Sequence, residues 1–185
     1  MNRLIKLGLV SLLALPIVGC AKQDKLVSEN TNTTKETKDT KNQETINNSE
    51  VTEKNFKDFP ETGEKYFTYD EWQEGYVIYS CTSDDKVVRV PKEIKGKPVI
   101  AIGERGLANL KNCEAIVLPD TVRYIGVGAF AIDNKLKYVH LGKSIETVED
   151  GVFNSDSSLE SVVFPEGTKS IGTLVFWGTR SIKSI

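Results

Sequence analysis

Thiols and imidazoles are the side chains best suited to nucleophilic or metal chemistry at neutral pH, and the chain has few of either. There are three cysteines, Cys20, Cys81 and Cys113, and one histidine, His140. A single imidazole removes most metal sets and leaves room for one Cys–His pair. Cys113 would have to be the partner. It stands, however, at the same point of a 23-residue step as Leu136 and Leu159, where a core side chain is expected, and His140 falls on the opposite face of its strand. Asp70, Glu71 and Glu74, and Asp84 with Asp85, lack the alternating ligands and glycine turn of a calcium loop and suit a strand end and a turn. No phosphate-cradling glycine loop or Gly-x-Ser-x-Gly elbow occurs. The expectation is a protein that is not an enzyme, with no cofactor and no metal.

Cys20 has a different chemistry. Arg3 and Lys6 precede an apolar run over residues 7–18, too short to span a bilayer comfortably, and the run ends in Pro16-Ile17-Val18-Gly19-Cys20. That ending resembles the lipobox of bacterial lipoproteins. The resemblance implies cleavage after Gly19, which is small enough to admit a membrane peptidase, and a diacylglyceryl group on the Cys20 thiol. Residues 1–19 are therefore expected to be a signal peptide. Two or more acyl chains, at about 0.8 kcal/mol per buried CH₂, anchor a protein stably. The expected location is the outer face of a bacterial cell membrane, lipid-anchored and surface-exposed.

The formal charge of the chain is −2; losing Arg3 and Lys6 leaves 22 basic against 26 acidic residues, a charge of −4. With no basic cluster above that background, nucleic acid is an unsuitable partner. Residues 20–57 are rich in Thr, Asn, Lys and Glu. Scattered Leu26, Val27, Ile46 and Val51 bury too little surface to offset ordering, so a disordered linker is expected. As a flexible coil it would span roughly 35 Å. Phe59-Pro60-Glu61-Thr62-Gly63 resembles a sortase sorting signal, but neither an apolar stretch nor a basic tail follows it, and a proline-initiated turn at the domain entrance is expected instead.

Internal repetition dominates the rest. Ile102-Gly103, Ile125-Gly126, Val148-Glu149 and Ile171-Gly172 recur every 23 residues, as do Leu107, Phe130, Phe153 and Phe176. Cys113-x-x-Ile116-x-Leu118, Leu136-x-x-Val139-x-Leu141 and Leu159-x-x-Val162-x-Phe164 form a second comb, and Val122, Ile145 and Thr168 a third. A unit this short cannot enclose a core and must stack on its neighbours. The in-and-out alternation of the second comb suits one short parallel strand per coil.

The stretch from Leu118-Pro119-Asp120-Thr121-Val122 through Ile125-Gly126-Val127-Gly128-Ala129-Phe130, with its echo at Phe164-Pro165-Glu166-Gly167-Thr168, resembles the BspA-like leucine-rich repeats of bacterial surfaces. Gly142, where the other copies have Pro119 and Pro165, departs from the pattern, as do Glu149, Thr168 and Leu107. The resemblance covers about residues 76–185. It implies an α/β-type but β-dominated solenoid, a right-handed leucine-rich-repeat superhelix preceded by a disordered tether. Residues 58–101 are expected to form an amino-terminal capping unit, and residues 102–185 three full repeats and an incomplete fourth. Ile182 and Ile185 begin that fourth strand, and no terminal cap follows them.

The outward columns then become readable. Glu114, Lys137, Glu160 and Lys183 alternate in sign and should pair between neighbouring coils. Ala115, Tyr138 and Ser161, beside Val117, His140 and Val163, form the candidate binding face. Cys81 and Cys113 lie where free buried thiols are favoured over a bridge, although an oxidising exterior permits one. The function these readings imply is a displayed protein- or glycan-binding or adhesion module. The alternative is a structural envelope protein that self-associates or docks through its carboxyl-terminal end.

Overall fold

A computed structural model of the protein describes residues 49–185. The expected signal peptide, Cys20 and most of the expected linker lie outside the described residues.

The chain enters through two short 3-10 turns, Phe56–Asp58 and Glu64–Tyr66, and then forms an antiparallel hairpin of β1 (Phe67–Trp72) and β2 (Gly75–Cys81). β3 (Val87–Arg89) follows. β4 (Glu93–Ile94) and β5 (Lys97–Ile102) pair across a two-residue turn, where Lys95 and Gly96 both take positive φ, the conformation a tight hairpin demands. From there the coil repeats: β6 (Ala115–Val117) and β7 (Tyr124–Ile125), β8 (Tyr138–His140) and β9 (Thr147–Val148), β10 (Ser161–Val163) and β11 (Ser170–Ile171).

Two sheets result. One has the order β10-β8-β6-β3, all parallel; the other runs β1-β2-β5-β7-β9-β11, parallel after the opening hairpin. The β-dominated solenoid with 23-residue coils is therefore present, with an addition. Each coil carries a second strand, built on the Ile-Gly step, and these strands are too short, at two residues, to show alternation in the sequence. Residue 102 ends β5 rather than opening a new element, and β3 already pairs with β6, so the stacked sheets reach into the segment expected to be a cap.

Register explains the core. Ala115 pairs with Tyr138 and Tyr138 with Ser161, and Tyr124 with Thr147 and Thr147 with Ser170, so like positions stack on like. Ile116, Val139 and Val162, Leu118 and Leu141, and Leu136 and Leu159 are buried between the sheets. Fully burying one such side chain stabilises by about 1.5–3 kcal/mol. Phe130, Phe153 and Phe176 stack at centroid separations of 5.2 and 5.5 Å. Gly142 also finds its reason: its φ is +74°, and a Cβ there would sit 2.7 Å from the Pro119 carbonyl oxygen. The charged column behaves as read, with Lys137 Nζ 2.8 Å from Glu114 and Lys183 Nζ 2.7 Å from Glu160.

The end of the polar linker departs from expectation. Val51, Phe56 and Phe59 are buried and form a small second core with Val87, Ala115 and Val117, against which Tyr138 packs. Residues 49–57 are therefore not a free coil. A single valine and two phenylalanines suffice because the surface they meet is already assembled, so only the strap itself has to be ordered. Thr52 N–H donates to Asn55 Oδ1 at 2.9 Å, closing a turn. The Arg89 guanidinium donates to the carbonyls of Lys57 and Phe59, and the Arg89 N–H donates to Thr62 Oγ1 at 3.1 Å. The Thr62 N–H in turn donates to the Arg89 carbonyl at 2.9 Å. Thr62 of the sorting-like motif is thus a buried joint between strap and β3.

Candidate functional site

The candidate face is the outer side of β3, β6, β8 and β10, and the structure divides it. Ala115 and Val117 are buried, Val117 to 6 % exposure, because the strap lies over them. They are not available as contact residues. The correction has a simple cause: apolar side chains on an outward column attract whatever apolar segment the chain can bring to them. Tyr138 is half-buried, its ring stacked 5.6 Å from Phe56. His140 and Ser161 are half-buried, and the Ser161 hydroxyl lies 2.8 Å from that of Ser184. Val163, in the same column as Val117, is 68 % exposed, on the wall of a cavity that Glu53 and Phe56 of the strap also line.

Cavities flank the strap. One, of about 540 Å³, is lined by Lys57, Glu61, Arg89, Lys92, Asp120 and His140 around Val117 and Pro119. The other, of about 210 Å³, is lined by Glu53, Phe56, Lys57, Tyr138, His140, Ser161 and Val163. Lys57 and His140 belong to both. Burial first, and the Lys57 charge second, hold the imidazole below its usual range, so His140 is neutral at physiological pH and can donate one hydrogen bond and accept another. Three cations, two carboxylates and a neutral imidazole around an apolar patch suit a polar ligand with acidic or hydroxyl groups. The Lys57, Glu61, Arg89 and Lys92 contributions lie outside the repeat comb, so periodicity could not have gathered them.

The reactive pairings do not assemble. Cys113 is buried in the main core, its Sγ 3.1 Å from the Ala115 carbonyl, while His140 lines the outer cavities. Burial pushes the Cys113 thiol far up, away from the thiolate that nucleophilic chemistry needs. Cys81 is also a free thiol raised by burial. Among the described residues no group of three or more His, Cys, Asp or Glu side chains could hold a metal, and no helix is long and apolar enough to cross a membrane.

Two buried carboxylates were not anticipated. Asp133 and Asp156 share one position of the 23-residue step and have no exposure. Asp133 Oδ1 accepts the Leu110 N–H, and Asp156 Oδ1 accepts the Asp133 N–H at 2.8 Å, so each links its coil to the one before. Their Oδ2 atoms have no hydrogen-bond partner, and burial pushes both carboxyls up to about 8. Their common spacing was the available signal; an aspartate in a turn ordinarily points to solvent.

Short parallel strands, a 23-residue coil and stacked Leu, Ile, Val and Phe columns define a leucine-rich-repeat protein. The chain belongs to the family described as BspA type leucine rich repeat region, whose model matches residues 88–185 in six copies. Its fold is similar to that of a crystallised leucine-rich repeat protein of T. pallidum, at 24 % identity and TM-score 0.54, covering 64 % of this chain and 67 % of that one. A leucine-rich repeat protein of Bacteroides ovatus is similar at 26 % identity and TM-score 0.58, over 65 % of this chain and 33 % of that one. A leucine-rich cell surface protein of Faecalibacterium prausnitzii is similar at 18 % identity and TM-score 0.52, over 63 % and 36 % respectively. The match thus spans about a third of each of the last two proteins. No curated protein matches the chain.

Proposed function

We propose that the chain is a binding module displayed on a bacterial surface, held to the membrane by lipid on Cys20, and that it contacts an extracellular protein or glycan through the part of the strand face its strap leaves open. The observation that carries this reading is the pair of solvent-open cavities meeting at His140 and Lys57, beside the uncovered Val163. Display is supported by the lipobox-like Pro16-Ile17-Val18-Gly19-Cys20 and by the fold shared with a protein described as a cell surface protein. The small apolar patch with a polar surround has the composition of a contact surface.

The test is to screen the full chain against arrays of glycans and extracellular matrix proteins, and then repeat any interaction with His140→Ala and Val163→Asp. Both should weaken it about tenfold or more, while Val127→Asp, at an exposed position off this face, leaves it unchanged. Unchanged binding in both face variants would remove the assignment. Cys20→Ser should release the protein from the membrane fraction; retention would sink the anchor. A second reading, self-association, draws on Ile171, Leu174 and Trp177, which the last coil exposes. Concentration-dependent sedimentation that Leu174→Asp abolishes would favour it.

A further inference from the structure

The outer side of the other sheet carries a slot unlike anything on the first. Its columns read Ala101, Tyr124, Thr147, Ser170 and Gly103, Gly126, Glu149, Gly172 across β5 to β11 and the residues just after them. Small residues on β5 stand between large ones on its neighbours. Trp72 at the end of β1 and Tyr124 of β7 lean over Ala101 until their rings are 6.0 Å apart, tilted by 54°. Tyr79 of β2 lies along Gly103, so close that a Cβ there would be 2.7 Å from the Tyr79 ring. The cavity between them holds about 190 Å³, and Glu104 stands at its rim. That volume is below the ~300–1,000 Å³ of drug-sized sites and suits one chemical group rather than a whole ligand.

We propose that this slot binds a quaternary ammonium group, with Trp72, Tyr79 and Tyr124 as its aromatic walls and Glu104 as its counter-charge. Aromatic faces attract cations, most strongly when the cation is desolvated, so a weakly hydrated cation that loses little on leaving water is favoured. A methylated ammonium fits the apolar floor at Ala101 better than a lysine ammonium, which is strongly hydrated. The local charge agrees. Glu104 makes no ion pair among the described residues, and Glu149 accepts a hydrogen bond from the Tyr124 hydroxyl at 3.1 Å. The nearby Arg123 is already paired with Glu74, and Arg105 faces the neighbouring cavity beside Val127. Trp72 is 40 % and Tyr79 50 % exposed, so both are reachable from solvent. A neutral sugar would also stack on such rings, but the rim supplies it with little beyond one carboxylate. The site is on the sheet opposite the proposed contact face and does not depend on that reading.

Trp177→Phe in the full chain leaves Trp72 as the sole tryptophan and so a reporter at the slot. Its fluorescence is followed during titration with choline chloride at ionic strength held constant with sodium chloride. Parallel titrations use the uncharged isostere, in which a tert-butyl group replaces trimethylammonium, and a methyl glucoside. Choline should saturate the signal about tenfold more tightly than the isostere. Glu104→Gln should weaken choline severalfold and leave the thermal midpoint unchanged. Equal affinity for the isostere would overturn the proposal in favour of a merely apolar slot. Saturation by the glucoside with choline silent would overturn it in favour of a sugar site, and no saturable change with any probe would overturn it outright.

Discussion

The outer faces of the two sheets are built by the same repeat and meet opposite fates. On the β3-β6-β8-β10 face, Val117 is 6 % exposed and its column neighbour two coils on, Val163, is 68 % exposed. The difference is the strap, whose Val51, Phe56 and Phe59 pack over Val117 and leave Val163 on an open cavity wall. On the other face no segment among the described residues lies across the Tyr124, Thr147 and Ser170 column, and the slot there comes from the β1–β2 hairpin leaning in through Trp72. A repeat sets out identical columns; what happens to each is decided by the non-repeated residues flanking the array. In this chain those flanks turn one apolar face into a partly closed groove and give the other an aromatic slot.

The shared core is the place to break both faces at once. Phe153 lies between Phe130 and Phe176 with no exposure, so Phe153→Ala should cost about 3–5 kcal/mol. In urea unfolding of the Trp177→Phe background, Trp72 fluorescence and strap amide protection should be lost together; loss of one alone would mean that the solenoid is not a single cooperative unit.

Next in size is the pH response of Asp133 and Asp156. Their folded-state values, about 8, lie above the ordinary value of 3.8, so folding favours the neutral carboxyl. No penalty exists below pH 4, and stability should fall as pH rises from about 4 toward 8. A thermal midpoint several degrees higher at pH 5 than at pH 8 is expected, on the order of 4–8 °C per kcal/mol for a small domain. Asp133→Asn with Asp156→Asn keeps the oxygen that accepts the neighbouring N–H and should flatten that slope. A midpoint rising with pH would contradict the burial argument.

Phe56→Ala acts on one face only. It should cost about 0.5–3 kcal/mol and speed amide exchange in the strap, with Trp72 fluorescence, read in the Trp177→Phe background, unaltered. A matching change at Trp72 would mean that the two faces are coupled through the core. The smallest effect should come from Val163→Lys, within about 0.5 kcal/mol by thermal melt, because the strap leaves that position in water. A large loss there would mean that Val163 is covered in solution.

Much of the architecture could be read from spacing. Leu107, Phe130 and Phe153 are buried where their period put them, Cys113 is in the core, and the Glu114–Lys137 and Glu160–Lys183 pairs form. The candidate site was legible only in part. His140 lies on an open cavity wall as its strand position required, while Ala115 and Val117 in the adjoining columns are covered. Asp133 and Asp156 carried the period, but their residue type argued for solvent.

The order and register of the coils belong to the sequence alone, because every 23-residue step brings a residue against its own counterpart, and columns of like apolar side chains or of alternating charge are satisfied only in that register. The strap, the groove at His140 and the slot at Trp72 belong to the tertiary structure. Each depends on a surface assembled from several coils before the docking segment meets it, and three apolar residues in a polar stretch carry no local sign of the face that will bury them.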